Sequence, residues 1–238
     1  MTTDLTGSTP VPLAHRLETV RQSVSDAAAQ AGRAPSAITT IVVTKFHPAT
    51  LVRELHALGV RDFGENRHQD AAPKAESLRD LDLAWHFVGQ LQSKKARAVL
   101  EYSRVIHSVD RESVVSALST AALANPGDTP VAVFLQVNLT DDPARGGVAP
   151  SDLEALAERV LATEVLRLRG LMAVAPLGVE PRSAFAGVRE AGEAVQRIAP
   201  EATDLSMGMS GDFADAILEG ATHLRIGTAI TGNRPLGG

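Results

Sequence analysis

The chain has no cysteine, which removes disulfides and thiolate metal sites from consideration. It also lacks an uninterrupted apolar run of membrane-spanning length. The opening segment, Met1 to Leu13, is polar and Pro-containing, without the basic start and apolar stretch of a signal peptide. A cytoplasmic location is the expectation. Positive charge is in short supply: 23 Lys and Arg stand against 28 Asp and Glu, for a formal net charge of −5, so no broad basic field is offered to nucleic acid. No low-complexity linker divides the 238 residues. Asn125-Pro126-Gly127-Asp128 and Leu177-Gly178-Val179-Glu180-Pro181 are turns rather than boundaries, so residues 1–238 are expected to form one domain, with 1–12 as a flexible tail. His47, His68, His86, His107 and His223 lack the close pairing of a metal site. His86 and His107 are expected to satisfy hydrogen bonds in or near the core, and Met172, Met207 and Met209 to pack at strand ends.

Lysine is scarce as well, with four (Lys45, Lys74, Lys94, Lys95) against nineteen arginines. A position that needs only positive charge would more often carry Arg, but an arginine cannot form a Schiff base. Lys45 closes the β-branched run Ile38-Thr39-Thr40-Ile41-Val42-Val43-Thr44, which reads as a buried strand delivering one amine to its end. Held among apolar neighbours, such an amine suits covalent capture of a carbonyl compound; as a snorkelling surface lysine it would do nothing of the kind. Lys94, Lys95 and Arg97 read as a solvated helix face.

Along the chain, short β-branched runs alternate with helix-length segments. Leu13, Leu17, Val20, Val24 and Ala28 form the stripe of an amphipathic helix ending near Gly32. Strands are expected at 38–44, 60–63, 84–88, 105–108, 131–138 and 166–174, around Leu205, and at 224–226. The segment after Pro48 reads as a helix ending at Gly59. Ser151 with Glu154 reads as a capping box opening a helix to about Ala162. Eight strands separated by helices point to parallel pairing and an α/β fold, a single (β/α)8 TIM barrel with an additional N-terminal helix. A doubly wound open sheet is the alternative.

In such a barrel, chemistry sits at the carboxyl ends of the strands, with phosphate often held after strands seven and eight. Lys45 ends strand one, Gly64-Glu65-Asn66 follows strand two, Ser206-Met207-Gly208-Met209-Ser210-Gly211 follows strand seven, and Gly227-Thr228 follows strand eight. Glycines and hydroxyls before a helix starting near Asp212 would suit an anion, although the same glycines could serve tight turns. Arg225 lies within the last strand, where a buried guanidinium needs either a barrel carboxylate or a ligand acceptor.

Val43-Thr44-Lys45, Phe63-Gly64-Glu65-Asn66, Trp85-His86-Phe87-Val88-Gly89-Gln90-Leu91-Gln92, Arg169-Gly170-Leu171-Met172, Gly208-Met209-Ser210-Gly211-Asp212 and Arg225-Ile226-Gly227-Thr228 together resemble the YggS/PROSC family of pyridoxal-phosphate homeostasis proteins. The resemblance covers 38–232. It implies a single fold-type III barrel similar to the amino-terminal domain of alanine racemase, binding pyridoxal 5′-phosphate (PLP) for vitamin B6 homeostasis without robust catalytic activity. It implies Lys45 as the Schiff-base lysine, Ser210, Gly227 and Thr228 at the phosphate with Ser206 as a further contributor, Arg225 at the pyridine nitrogen and Asn66 near the ring. Lys94 stands where many relatives have Asn, and Arg145-Gly146-Gly147 replaces a Lys-containing stretch, so no role is carried over to those positions.

An Arg partner keeps its proton and leaves the pyridine nitrogen without one, which weakens the ring as an electron sink. The chain ends at Gly238, soon after the eighth strand, and no second domain supplying a catalytic base is expected. The expected protein is therefore a monomeric PLP carrier, with PLP-dependent apoenzymes as acceptors. The alternatives are a low-activity amino-acid racemase and, further off, a Schiff-base aldolase acting on a sugar phosphate.

Overall fold

The computed structural model describes residues 11–127, 129–140, 142 and 145–234. Most of the expected tail, and Asp128 of the first expected turn, lie outside the described residues. Eight strands close into one parallel barrel in sequence order: β1 (Thr39–Val43), β2 (Asp62–Glu65), β3 (Ala84–Phe87), β4 (Val105–Val109), β5 (Val131–Gln136), β6 (Leu166–Met172), β7 (Asp204–Ser206) and β8 (His223–Ile226). Pairing of β1 with β8, in the register Thr39 with His223 through Val42 with Ile226, closes the cylinder and excludes the open sheet.

The crossovers are helical: α2 (Ala49–Ala57), α3 (His68–Glu76), α4 (Ala96–Val99), α5 (Glu112–Ala124), α6 (Leu153–Leu161), α7 (Pro181–Gln196) and α8 (Phe213–Leu218), with the short α9 (Thr228–Thr231) after β8. The additional helix α1 (Leu13–Gln30) precedes β1 and buries Leu17, Val20, Val24, Ala27 and Ala28, the expected stripe, against α8 and α9. Two arginines latch the chain there, Arg16 Nε donating to Ile230 O at 2.7 Å and Arg33 Nη1 to Ala221 O at 2.7 Å. The hydrophobic core lies between the sheet and this helical ring, with Phe63, Leu118, Leu135, Phe185 and Ile226 fully buried. Each such side chain contributes about 1.5–3 kcal/mol through removal from water.

Two local expectations differ from what forms. β2 runs to Glu65, because Gly64 and Glu65 continue the ladder with His86 and Phe87; the glycine expected to follow the strand is here a strand residue. Ser151 makes no capping box. Residues Pro150–Asp152 form a 3-10 turn, Asp152 is the residue before α6, no side chain caps that helix, and the Ser151 hydroxyl donates to Asp152 instead.

Candidate cofactor site

Strand pairing brings the distant sequence segments to one end of the barrel. Ile41 pairs with Arg225, and side chains alternate along a strand, so Ile41 and Val43 share a face with Arg225, and Lys45 follows two residues past the end of β1. A Cβ at Gly64 would crowd Ile41 and Val43, its same-face neighbours on β1. Lys45 itself has left the sheet. It is exposed rather than enclosed by apolar neighbours, in a turn closed by His47 N–H to Thr44 O at 3.0 Å. Phe46, next in the chain, has φ 68° and lies beneath the guanidinium of Arg234, 4.3 Å from the ring centroid. The Lys45 amine has no hydrogen bond or ion pair to any described residue.

Thr44 is fixed from behind. Its hydroxyl donates to Glu65 Oε1 at 2.7 Å, its carbonyl accepts from Lys74 Nζ at 2.9 Å, and Lys74 and Glu65 form a buried ion pair. Because paired buried charges hold each other in place, this cluster sets where β1 ends and thus where Lys45 begins. The cluster is absent from the sequence reading, which treats Glu65 only as part of a motif. The signal available is that Lys74 falls on the face of α3 where Ala71 and Ala75 are buried.

The two glycine-bearing loops meet. Ser210 Oγ accepts from Ala229 N–H at 3.3 Å, joining the loop after β7 to α9. Asp212 Oδ1 accepts from Met209 N–H at 2.6 Å and folds the first loop back on itself. Gly208 is demanded by the protein: its φ is 91°, and a Cβ would lie 2.7 Å from Ala216 Cβ. Gly211 and Gly227 differ. A Cβ at 211 would meet nothing within 4 Å, and one at 227 nothing nearer than Val43 O at 3.7 Å. Packing demands glycine at neither position, and the space above the Gly211 backbone is open.

Arg225 is buried and meets only neutral acceptors: Ser206 O at 2.6 Å, Ser206 Oγ at 2.7 Å and Ala173 O at 2.8 Å. Burial brings its pKa down to about 10, against the opposing influence of the Asp212 carboxylate. It is still a cation at neutral pH. Ser206 is fully buried, and its hydroxyl is engaged by Arg225 and by His107 Nδ1 at 2.8 Å, so it stands behind Arg225 rather than at the mouth. Asn66, just past β2, keeps its carbonyl oxygen buried without a partner. An open glycine cradle, a buried guanidinium without a contacting carboxylate, an orphaned amide oxygen and a free amine together fit a small phosphorylated aldehyde with a ring acceptor.

Sequence reasoning scatters the histidines, whereas the barrel gathers three of them. His107 stacks on Phe134 with centroids 4.4 Å apart, His86 lies 5.2 Å from His107, and His223 meets Phe134 edge-on at 5.2 Å. Burial pushes His107 well below the ordinary histidine range, with His86, Arg225 and His223 acting in the same direction, and brings His223 down to about 4. Lys94, Lys95 and Arg97 are exposed, as expected of a solvated face.

The alanine racemase N-terminal domain family matches residues 16–235. The class of protein is thereby defined as a barrel of that type. A pyridoxal phosphate homeostasis protein of Pseudomonas aeruginosa is 43% identical over 225 residues, spanning 94% of this chain and 97% of that protein. The solved structure of PipY of Synechococcus elongatus with PLP bound is 38% identical with a TM-score of 0.82, and the match spans 93% of this chain and 100% of that one. Alanine racemase of Corynebacterium glutamicum, 16% identical with a TM-score of 0.70 over 94% of this chain and 60% of that one, shares the fold. The chain belongs to the family of pyridoxal phosphate homeostasis proteins.

Proposed function

We propose that this protein binds pyridoxal 5′-phosphate reversibly, as a Schiff base on Lys45, and serves intracellular vitamin B6 homeostasis as a carrier. The observation that carries the reading is the exposed Lys45 amine just past the end of β1, without a partner among the described residues, at the same end of the barrel as the buried Arg225 and the glycine-bearing loops. The names of the relatives, one of them solved with PLP bound, support it. When bound, the cofactor supplies an aldehyde that condenses with a primary amine, losing water, and can pass to another amine by exchange.

The residues divide the work. Lys45 offers the amine. Ser210, Gly227 and Thr228 hold the phosphate, with the open backbone at Gly211 beside them. Asn66, whose side-chain carbonyl oxygen is buried without a partner, would lie near the ring. Arg225 donates to the pyridine nitrogen and keeps its own proton, because a pKa of about 10 leaves it charged at neutral pH; Ser206 supports it from behind. A ring nitrogen that receives a hydrogen bond without a proton withdraws electrons weakly, so the arrangement favours holding and release over carbanion chemistry.

The protein acts as a single-domain monomer in the cytoplasm, with PLP-dependent apoenzymes as acceptors. Among the described residues no helix is long and apolar enough to cross a membrane. The test is the visible absorption spectrum of the purified protein with PLP, before and after borohydride, followed by mass-spectrometric mapping of the modified lysine. A yellow species trapped on Lys45 is the expected result. A colourless protein with unmodified Lys45 overturns the reading and brings a sugar-phosphate aldolase forward.

A further inference from the structure

A hydrogen-bonded chain crosses the barrel interior below the cofactor site. It starts at Asp62, the first residue of β2, whose carboxylate lies 3.0 Å from His86 Nε2. His86 Nδ1 is 3.0 Å from His107 Nε2, and His107 Nδ1 is 2.8 Å from Ser206 Oγ, which accepts from Arg225 Nη1 at 2.7 Å. The Asp62 side chain is 34% exposed, at the amino-terminal end of the barrel, while His86, His107, Ser206 and Arg225 are buried.

The two ends of this chain decide where its protons lie. A guanidinium only donates, and an ionised carboxylate only accepts. With neutral histidines between them, one arrangement matches every donor to an acceptor. His86 Nε2–H donates to Asp62, so His86 Nδ1 accepts. His107 Nε2–H fills that acceptor, so His107 Nδ1 accepts in turn. The Ser206 hydroxyl proton goes to His107, and its oxygen remains to accept from Arg225. If His86 instead carried two protons against Asp62, His107 Nε2 would have to accept and its Nδ1 would carry the proton. The Ser206 oxygen would then face two donors, and its own proton would have no acceptor within the chain. The surroundings favour a neutral His107, because it is fully buried and the Arg225 cation nearby opposes its charging. The carboxylates nearby, Asp62 and Asp204, act on His223, as do Arg169 and His86.

We propose that Asp62, His86, His107 and Ser206 form a one-directional relay that ties the Arg225 guanidinium to a carboxylate at the opposite end of the barrel and so positions Arg225 for its ligand. This rests on the reading that Arg225 faces the ring of bound PLP. No carboxylate contacts Arg225 among the described residues, and aligned hydrogen bonds in a low-dielectric interior polarise one another. Asp62 therefore acts on the guanidinium through the relay, and Asp212 acts on it from the loop after β7. The four members of the relay are positioning residues.

The experiment is long-range ¹⁵N–¹H NMR of the histidine rings in the cofactor-free protein, paired with absorbance titration by PLP. In the wild type both His86 and His107 are expected as Nε2–H tautomers. In Asp62→Ala the single His107 tautomer is expected to be lost and PLP uptake to weaken at least about fivefold, with Asp62→Glu restoring both. A wild-type His107 protonated on Nδ1 overturns the relay, and this measurement needs no variant to fold. An Asp62→Ala protein with altered tautomers and unchanged PLP uptake overturns the positioning role. A wild type with both expected tautomers and no PLP uptake overturns the functional reading while the relay stands.

Discussion

Two lysines flank the end of β1, and their surroundings are opposite. Lys74 reaches in from α3 and is buried, paired with Glu65 and hydrogen-bonded to the Thr44 carbonyl. Lys45, one residue beyond Thr44, is exposed and has no partner among the described residues. The buried pair gains its stability only as a unit, since either charge alone would be desolvated without compensation. What it provides is a fixed strand end. The free amine is thus placed by an ion pair in which it takes no part, so one lysine serves the structure and the other remains available for chemistry.

The largest expected effect separates the two directly. Lys45→Ala should abolish the borohydride-trapped PLP adduct while leaving the urea unfolding midpoint near that of the wild type, because an exposed unpaired side chain contributes within about 0.5 kcal/mol. An adduct that persists at the same site in that variant would break the comparison. Lys74→Met should do the reverse. It leaves Glu65 charged and buried without its partner, and the expected loss is about 3–5 kcal/mol by denaturant unfolding. Adding Glu65→Gln should recover most of that loss; a double variant as unstable as the single one would show that the pair is not the cause.

A smaller effect contrasts the charged mouth with the neutral histidines below it. His223 is held neutral by burial to about 4, and its ordinary value is 6.5. Above pH 6.5 both folded and unfolded chains carry it neutral, and stability is unaffected. As pH falls below 6.5 the unfolded chain takes up the proton first, so stability declines by about 1.4 kcal/mol per pH unit until the folded value is reached. His107, also depressed, should steepen the decline. Thermal melts between pH 7 and 4.5 should show this in the wild type and a shallower slope in His223→Asn. The smallest effect belongs to Ser151→Ala, which should shift the unfolding free energy by less than about 0.5 kcal/mol, because this hydroxyl caps no helix.

Much of the barrel was legible in the residues. The β-branched run before Lys45, the stripe on α1, and the alternation of short strands with helical segments fix local conformation through side-chain stiffness and burial, which are properties of neighbours along the chain. The end of β2 was not legible, since Gly64 and Glu65 join the strand only through their pairing with His86 and Phe87 of β3. The capping box at Ser151 failed for a related reason: the tight 3-10 turn ahead of α6 shifts the helix start past the serine. For the proposed cofactor site, Lys45, Asn66, Ser206, Ser210, Arg225, Gly227 and Thr228 were named from spacing and resemblance, whereas the Lys74–Glu65–Thr44 cluster and the hydrogen-bonded histidine chain were not legible.

The sequence by itself determined the parallel α/β alternation, the one lysine at a strand end and the glycine-rich segments after the last strands, because each depends on residues close in the chain. Only the tertiary structure decided that the barrel closes, that Lys74 rather than Lys45 is the buried lysine, and that Asp62, His86, His107, Ser206 and Arg225 stand in line. Those outcomes depend on register between strands far apart in sequence, where one polar side chain finds a partner only when the cylinder brings it within hydrogen-bonding distance.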